Sequence, residues 1–186
     1  VASDPTTTTV APCDPAAAVG RWPIRRRLAA LVVTGVDPSG PTDATDVVTG
    51  EHVGGIFIGG NDTGLLTSGT LQGLRAGEPT GLMVMVDEEG GRVQRIERLD
   101  GDVPSARDMA ATMSPEQVGD LARRRGRVML DHGVTVDLAP VVDVSAQADD
   151  EVIGDRSFSD DAAVVTAYGR AYAEGLLAAG VIPVLK

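Results

Sequence analysis

The chain has 186 residues, 42% of them hydrophobic but only 3% aromatic, and a formal net charge of −11. That length can bury a core and fits one domain or part of one, while the acidic balance argues against nucleic acid or an anionic membrane surface as the main partner. Ala, Gly and Val carry the bulk, which suits small-residue helices packed on a valine-rich sheet; no stretch is apolar for long enough to span a membrane.

In chain order, residues 1–20 open Thr-, Pro- and Ala-rich and are expected to form a flexible leader ahead of a folded part over 21–186. Cys13 is the single cysteine, so the chain offers no internal disulfide. A free thiol, a bridge to another segment and a lipid-modified cysteine stay open, although TTTTVAPCD lacks the apolar run upstream that a lipoprotein signal needs. RRRLAALVV, from Arg25 to Val33, has the charged-then-apolar order of a signal peptide. Its apolar part is short and Asp37-Pro38 follows instead of a cleavage site. It reads as a helix end feeding a strand.

Apolar runs then recur at 28–36, 53–59, 81–87, 134–139 and 181–186, each short and nearly continuous, as expected for strands buried on both faces. Helices are expected between them, weak ones near 42–51 and 65–75 and two strong ones. The first strong helix has Ser114 as N-cap, Pro115 at its first position, Gln117 completing a capping box and Gly133 as its stop. The second begins at Ser159 or Asp160, repeats Val164, Tyr168, Tyr172 and Leu176 along one stripe, and closes at Gly180. Strand alternating with helix means parallel βα units. An open doubly wound sheet and a (β/α)8 barrel both fit. GGIFIGGNDTG lacks the G-x-G-x-x-G order of the former's dinucleotide loop, so the pattern favours about five of the eight strands of a TIM barrel.

A barrel assembles its site at the C-terminal ends of its strands. There the sequence places Asp87, with Arg92 and Arg95 just beyond, then Asp137, Asp143, Asp155, Arg156 and Lys186. Simpler readings stand beside this one. Glu88 or Glu89 could pair with Arg92 or Arg95 in a salt-bridged turn, and Gly90-Gly91 could merely form that turn. Asp137 could be a structural hydrogen-bond hub, and residues 123–125 look like the wet face of a helix. His52 and His132 precede strands and so belong to the opposite, stabilising end. Without a Cys/His cluster or an H-x-x-x-H pair, neither a metal nor another cofactor is indicated.

The motifs VDEEGGRVQR, GVTVDLAPVVDV, VIGDRSF and GVIPVLK, in this order and spacing, resemble the β-N-acetylglucosaminidases of glycoside hydrolase family 3. The D-x-E-G-G-R-V form is that of this branch and not of the family's β-glucosidases. The wording is most similar to actinobacterial cell-envelope members exported as lipoproteins. The resemblance implies that Asp87 holds hydroxyls of the terminal sugar, that Arg95 and Arg156 contact the same ring, and that Lys186 is a further ligand. It implies a GlcNAc-containing saccharide or peptidoglycan fragment as partner, hydrolysed with retention. The family's nucleophilic Asp and its His acid/base lie downstream of the matching lysine, so neither role is assigned here and the remaining C-terminal part of the barrel is an expected partner. Phosphorolysis, a non-catalytic sugar-binding envelope protein and a β-glucosidase are the competing readings.

Overall fold

Strand order decides between the two architectures. β1 (Val33–Val36), β2 (Gly55–Ile58), β3 (Met83–Val86), β4 (Val136–Asp137) and β5 (Ile182–Pro183) form one parallel sheet in the order β1-β2-β3-β4-β5. A doubly wound sheet reverses its order at a switch point; this one advances one neighbour at a time, as a barrel wall does. The structure, a computed structural model, describes residues 19–78 and 81–186. The expected leader, with Cys13, falls outside them except for its last two residues.

The helices are α1 (Ile24–Ala29), α2 (Pro41–Asp46, running on as a π turn over Val47–Glu51), α3 (Gly64–Thr67), α4 (Thr70–Gly77), α5 (Glu97–Asp100), α6 (Ala106–Thr112), α7 (Pro115–Asp131) and α8 (Ala162–Ala179). The expected first strand is too long, because Leu28 belongs to α1 and the ladder begins only at Val33. The 65–75 helix is two pieces broken at Ser68-Gly69, while α5 and α6 are further helices that carry no long apolar stripe to signal them in the sequence. α7 has the capping box: Gln117 N–H donates to Ser114 Oγ at 3.3 Å, and Ser114 N–H donates to Gln117 Oε1 at 2.8 Å. α8 starts later than expected. Asp161 is its cap, accepting from Ala163 N–H at 2.7 Å, and Ser159 Oγ supports Asp161 by accepting its N–H.

Side chains alternate across the sheet. Ile56, Ile58, Val84 and Val86 are buried in one core with Leu65, Leu71, Val118, Met129, Tyr172 and Leu176. Each such burial contributes about 1.5–3 kcal/mol. The opposite face departs from the expectation of burial on both sides: Val33 and Met83 are each 40% exposed and Ile182 56%. In a barrel that face is covered by strands of the facing wall, and five strands do not close around it.

Candidate functional site

The chain leaving β3 at Asp87 makes a tight turn. Glu89 and Gly90 N–H both donate to Val93 C=O, at 2.9 and 3.2 Å, and Val93 N–H donates back to Gly90. Gly90 and Gly91 have φ of +90° and +55°. Side chains are strained there, and space forbids them too: a Cβ at Gly90 would sit 2.5 Å from the Pro104 oxygen and one at Gly91 2.8 Å from Ser105 Cβ. The turn brings Arg95 back to its own strand end. Its Nε and Nη2 donate to the two Asp87 carboxylate oxygens at 2.6 and 2.9 Å, and its Nη1 reaches Asn61 Oδ1 at 3.1 Å.

Glu89 gathers the other two cations. Arg156 donates to both its oxygens, from Nε at 2.7 Å and Nη2 at 2.9 Å, and Lys186 Nζ lies 2.5 Å from Oε1. Burial pushes the Glu89 carboxyl up, but hydrogen bonds and charge from Arg156 and Lys186 outweigh it and hold it below its ordinary value. The bond to Glu89 raises Arg156 in turn, with Asp87 and Asp143 adding to the effect. Two carboxylates thus face three cations on one rim. Such a cluster can both accept and donate hydrogen bonds: a carboxylate engaged by one guanidinium keeps free lone pairs, and Arg and Lys keep unused N–H donors.

Arg156 arrives on a 3-10 turn, Gly154–Arg156, in the long loop after β4. Two arginines shape that loop. Arg107, from α6, donates to the backbone oxygens of Ser145, Gln147 and Gly154 at 3.2, 2.7 and 2.8 Å, and to Asp149 Oδ1 at 2.7 Å. Arg92 donates to the carbonyls of Glu151, Val152 and Ile153, and its Nε is 3.0 Å from Asp155. Lys186 is placed by its backbone: its N–H donates to Pro140 C=O at 3.2 Å, and its C=O accepts from Val142 at 2.7 Å.

The structure therefore brings Asp87, Arg95, Arg156 and Lys186 together, with Glu89 joining the last two. The salt-bridged-turn reading fails in its details. Arg92 pairs with Asp155 and Arg95 with Asp87, while the side chain of Glu88 turns inward to Arg125. Arg125, read as wet, is 1% exposed; of its neighbours, Arg124 is exposed and Arg123 pairs with Asp120 on the surface. Helical spacing held the clue, because Val118, Leu121, Ala122, Arg125, Gly126 and Met129 make one buried stripe. Asp137 lies under the rim, not on it. Fully buried, it accepts from Glu88 N–H at 2.8 Å through Oδ1, with Oδ2 unpartnered, and burial pushes its carboxyl well up. His52 and His132 sit at the far end, against Glu78 and the Leu66 carbonyl.

Residues 24–186 match the model of the glycosyl hydrolase family 3 N terminal domain. The chain belongs to glycoside hydrolase family 3. Its five strands are the N-terminal portion of the family's (β/α)8 barrel. It is 54% identical over 164 residues to the beta-hexosaminidase LpqI of Mycobacterium tuberculosis, covering 87% of this chain and 42% of that protein. The solved structure of M. tuberculosis LpqI superposes at a TM-score of 0.87 and 52% identity, over 94% of this chain and 51% of that one. A family 3 member from Mycobacterium smegmatis gives 0.84 at 51% identity, over 94% of this chain and 52% of that one. The chain therefore spans about half or less of the length of these family 3 relatives.

Proposed function

We propose that this chain is the sugar-holding part of an exported, retaining exo-β-N-acetylglucosaminidase of the cell envelope. The enzyme removes terminal non-reducing β-GlcNAc from peptidoglycan fragments. Asp87 accepts from hydroxyls of the terminal sugar, and Arg95, Arg156 and Lys186 donate to its oxygens. The His acid/base and the nucleophilic Asp come from segments beyond Lys186, on opposite sides of the scissile bond, and the reaction passes through a covalent glycosyl-enzyme.

The observation that carries this reading is the paired rim, Asp87 with Arg95 and Glu89 with Arg156 and Lys186, at the strand ends of a family 3 barrel. Likeness to a protein named a beta-hexosaminidase supports the choice of sugar. Full-length protein assayed on aryl β-GlcNAc and aryl β-glucoside tests it. Preferential release from the GlcNAc substrate is expected, with free GlcNAc as product whether or not phosphate is present. Preference for the glucoside overturns the sugar assignment, and GlcNAc-1-phosphate as product replaces hydrolysis by phosphorolysis. GlcNAc binding without cleavage identifies a non-catalytic sugar binder.

A further inference from the structure

Beneath the rim lies a residue whose every polar group is occupied. Glu88 sits between the two rim carboxylates, and strand alternation turns its side chain away from theirs, into the core, where it is fully buried. Its N–H donates to Asp137 on β4 at 2.8 Å, and its C=O accepts from Tyr172 on α8 at 2.8 Å. Oε1 accepts from Arg125 Nε and Nη2 on α7 at 3.1 and 2.9 Å. Oε2 accepts from the backbone N–H groups of Arg95 and Ile96 at 2.5 and 3.0 Å. Arg125 also holds the returning segment, donating to Gly101 C=O at 2.7 Å and to Gln94 Oε1 at 3.1 Å.

Satisfying buried backbone groups gives this arrangement part of its stability, but the ion pair itself adds little. A buried ion pair costs several kcal/mol of desolvation per ion, and well-packed apolar replacements of both partners are often neutral or stabilising. What the pair does is geometric. It ties the outgoing residues 87–89 to the incoming residues 95–96, so that Asp87 and Arg95 meet in register and Glu89 faces Arg156 and Lys186. We propose that Glu88, clamped by Arg125, is a positioning residue for the rim, setting the register of Asp87, Glu89 and Arg95 without touching ligand. The proposal rests on the sugar-binding reading for its effect on turnover, but not for its effect on the arginines.

The test uses full-length protein carrying Glu88→Met together with Arg125→Met, beside Tyr172→Phe, which removes only the hydroxyl held by the Glu88 carbonyl. The double variant leaves the Arg95 and Ile96 N–H groups and the Gly101 carbonyl without these partners, so it is expected to melt below wild type while remaining folded at the assay temperature. Its kcat/KM on aryl β-GlcNAc should fall by about tenfold to a hundredfold, mainly through KM. The NMR signals of the Arg95 and Arg156 Nε–H groups, each bonded to a carboxylate in the parent, should exchange faster with water. Tyr172→Phe should shift both readouts in the same direction by a smaller factor, and it decides the matter if the double variant does not fold. A folded variant with parental kcat/KM and parental arginine signals overturns the proposal. If the parent neither binds nor cleaves GlcNAc, the functional reading falls, and the arginine signals still decide the role of Glu88.

Discussion

The rim and the layer under it use the same residue types and treat them in opposite ways. On the rim, Glu89 is held below its ordinary range by two cations, and Asp87 is bridged by Arg95. Just beneath, Asp137 is pushed well up by burial, and Glu88 is sealed against Arg125. Exposure separates the pairs, since the Asp87 and Arg95 side chains keep 18% and 16% of their surface and Glu89, itself 4% exposed, is paired with Arg156 and Lys186 at 24% and 33%, while Glu88 and Arg125 keep 0% and 1%. A rim pair has water within reach of at least one partner, and in the proposed function its charges can exchange a partner for a ligand. A charge in the layer cannot, because losing its partner leaves it stranded away from water.

The sharpest way to break that contrast is to unbalance the layer. Arg125→Met alone should cost about 3–5 kcal/mol, because it strands the Glu88 carboxylate, and urea denaturation of the full-length protein measures it. An Arg125→Met protein as stable as the parent would mean that the layer tolerates exchange as the rim does. Next in size is Asp87→Ala, which removes contacts of about 1.5–3 kcal/mol to charged groups. GlcNAc affinity should fall by about tenfold to over a hundredfold while the melting temperature stays near the parent's, with calorimetry reading both. Unchanged affinity would reduce Asp87 to a turn former.

The smallest effects sharpen the contrast through pH. For Glu89 the folded carboxyl lies below the unfolded value of 4.5. Its contribution is full above that value and is lost as pH falls through the folded one. The stability advantage of the parent over Glu89→Gln should therefore shrink on acidification below about pH 4.5. Asp137 has the opposite sign. Its folded carboxyl lies above the unfolded value of 3.8, so the folded state binds the extra proton and stability falls as pH rises between the two. Asp137→Asn should remove that slope, and denaturation midpoints of the variant should gain on the parent from pH 4 upward. Parallel slopes for the two variants would erase the distinction between rim and layer.

The sequence made visible what local physics controls. The capping box at Ser114 and Gln117 and the strand-end position of Asp87 needed no tertiary information. The family motifs likewise pointed to Arg95, Arg156 and Lys186. Partner choice was not visible, because it depends on which elements meet in space. Nothing local tells Glu88 from Glu89; one residue of strand alternation sends the first to Arg125 on α7 and the second to Arg156 from the loop after β4. Three consecutive arginines suggest water at Arg125, although the stripe through Leu121, Ala122 and Met129 includes it. Two-sided strand burial failed for a different reason. It is a property of a closed barrel, and a closed barrel needs more strands than the five described here.

Arg107 and Arg92 grip the loop after β4 mostly by main-chain oxygens, which every residue type possesses. The path that delivers Arg156 is thus shared between two side chains outside the loop and a few of its own: Gln147 Oε1 accepts from the Ile153 and Gly154 N–H groups at 3.0 and 3.4 Å, and Ser157 Oγ donates to Asp143 C=O at 2.6 Å. Exposed loop positions whose side chains make none of these contacts, such as Ala148 and Asp150, are the ones free to be redesigned without moving the guanidinium that sits on Glu89.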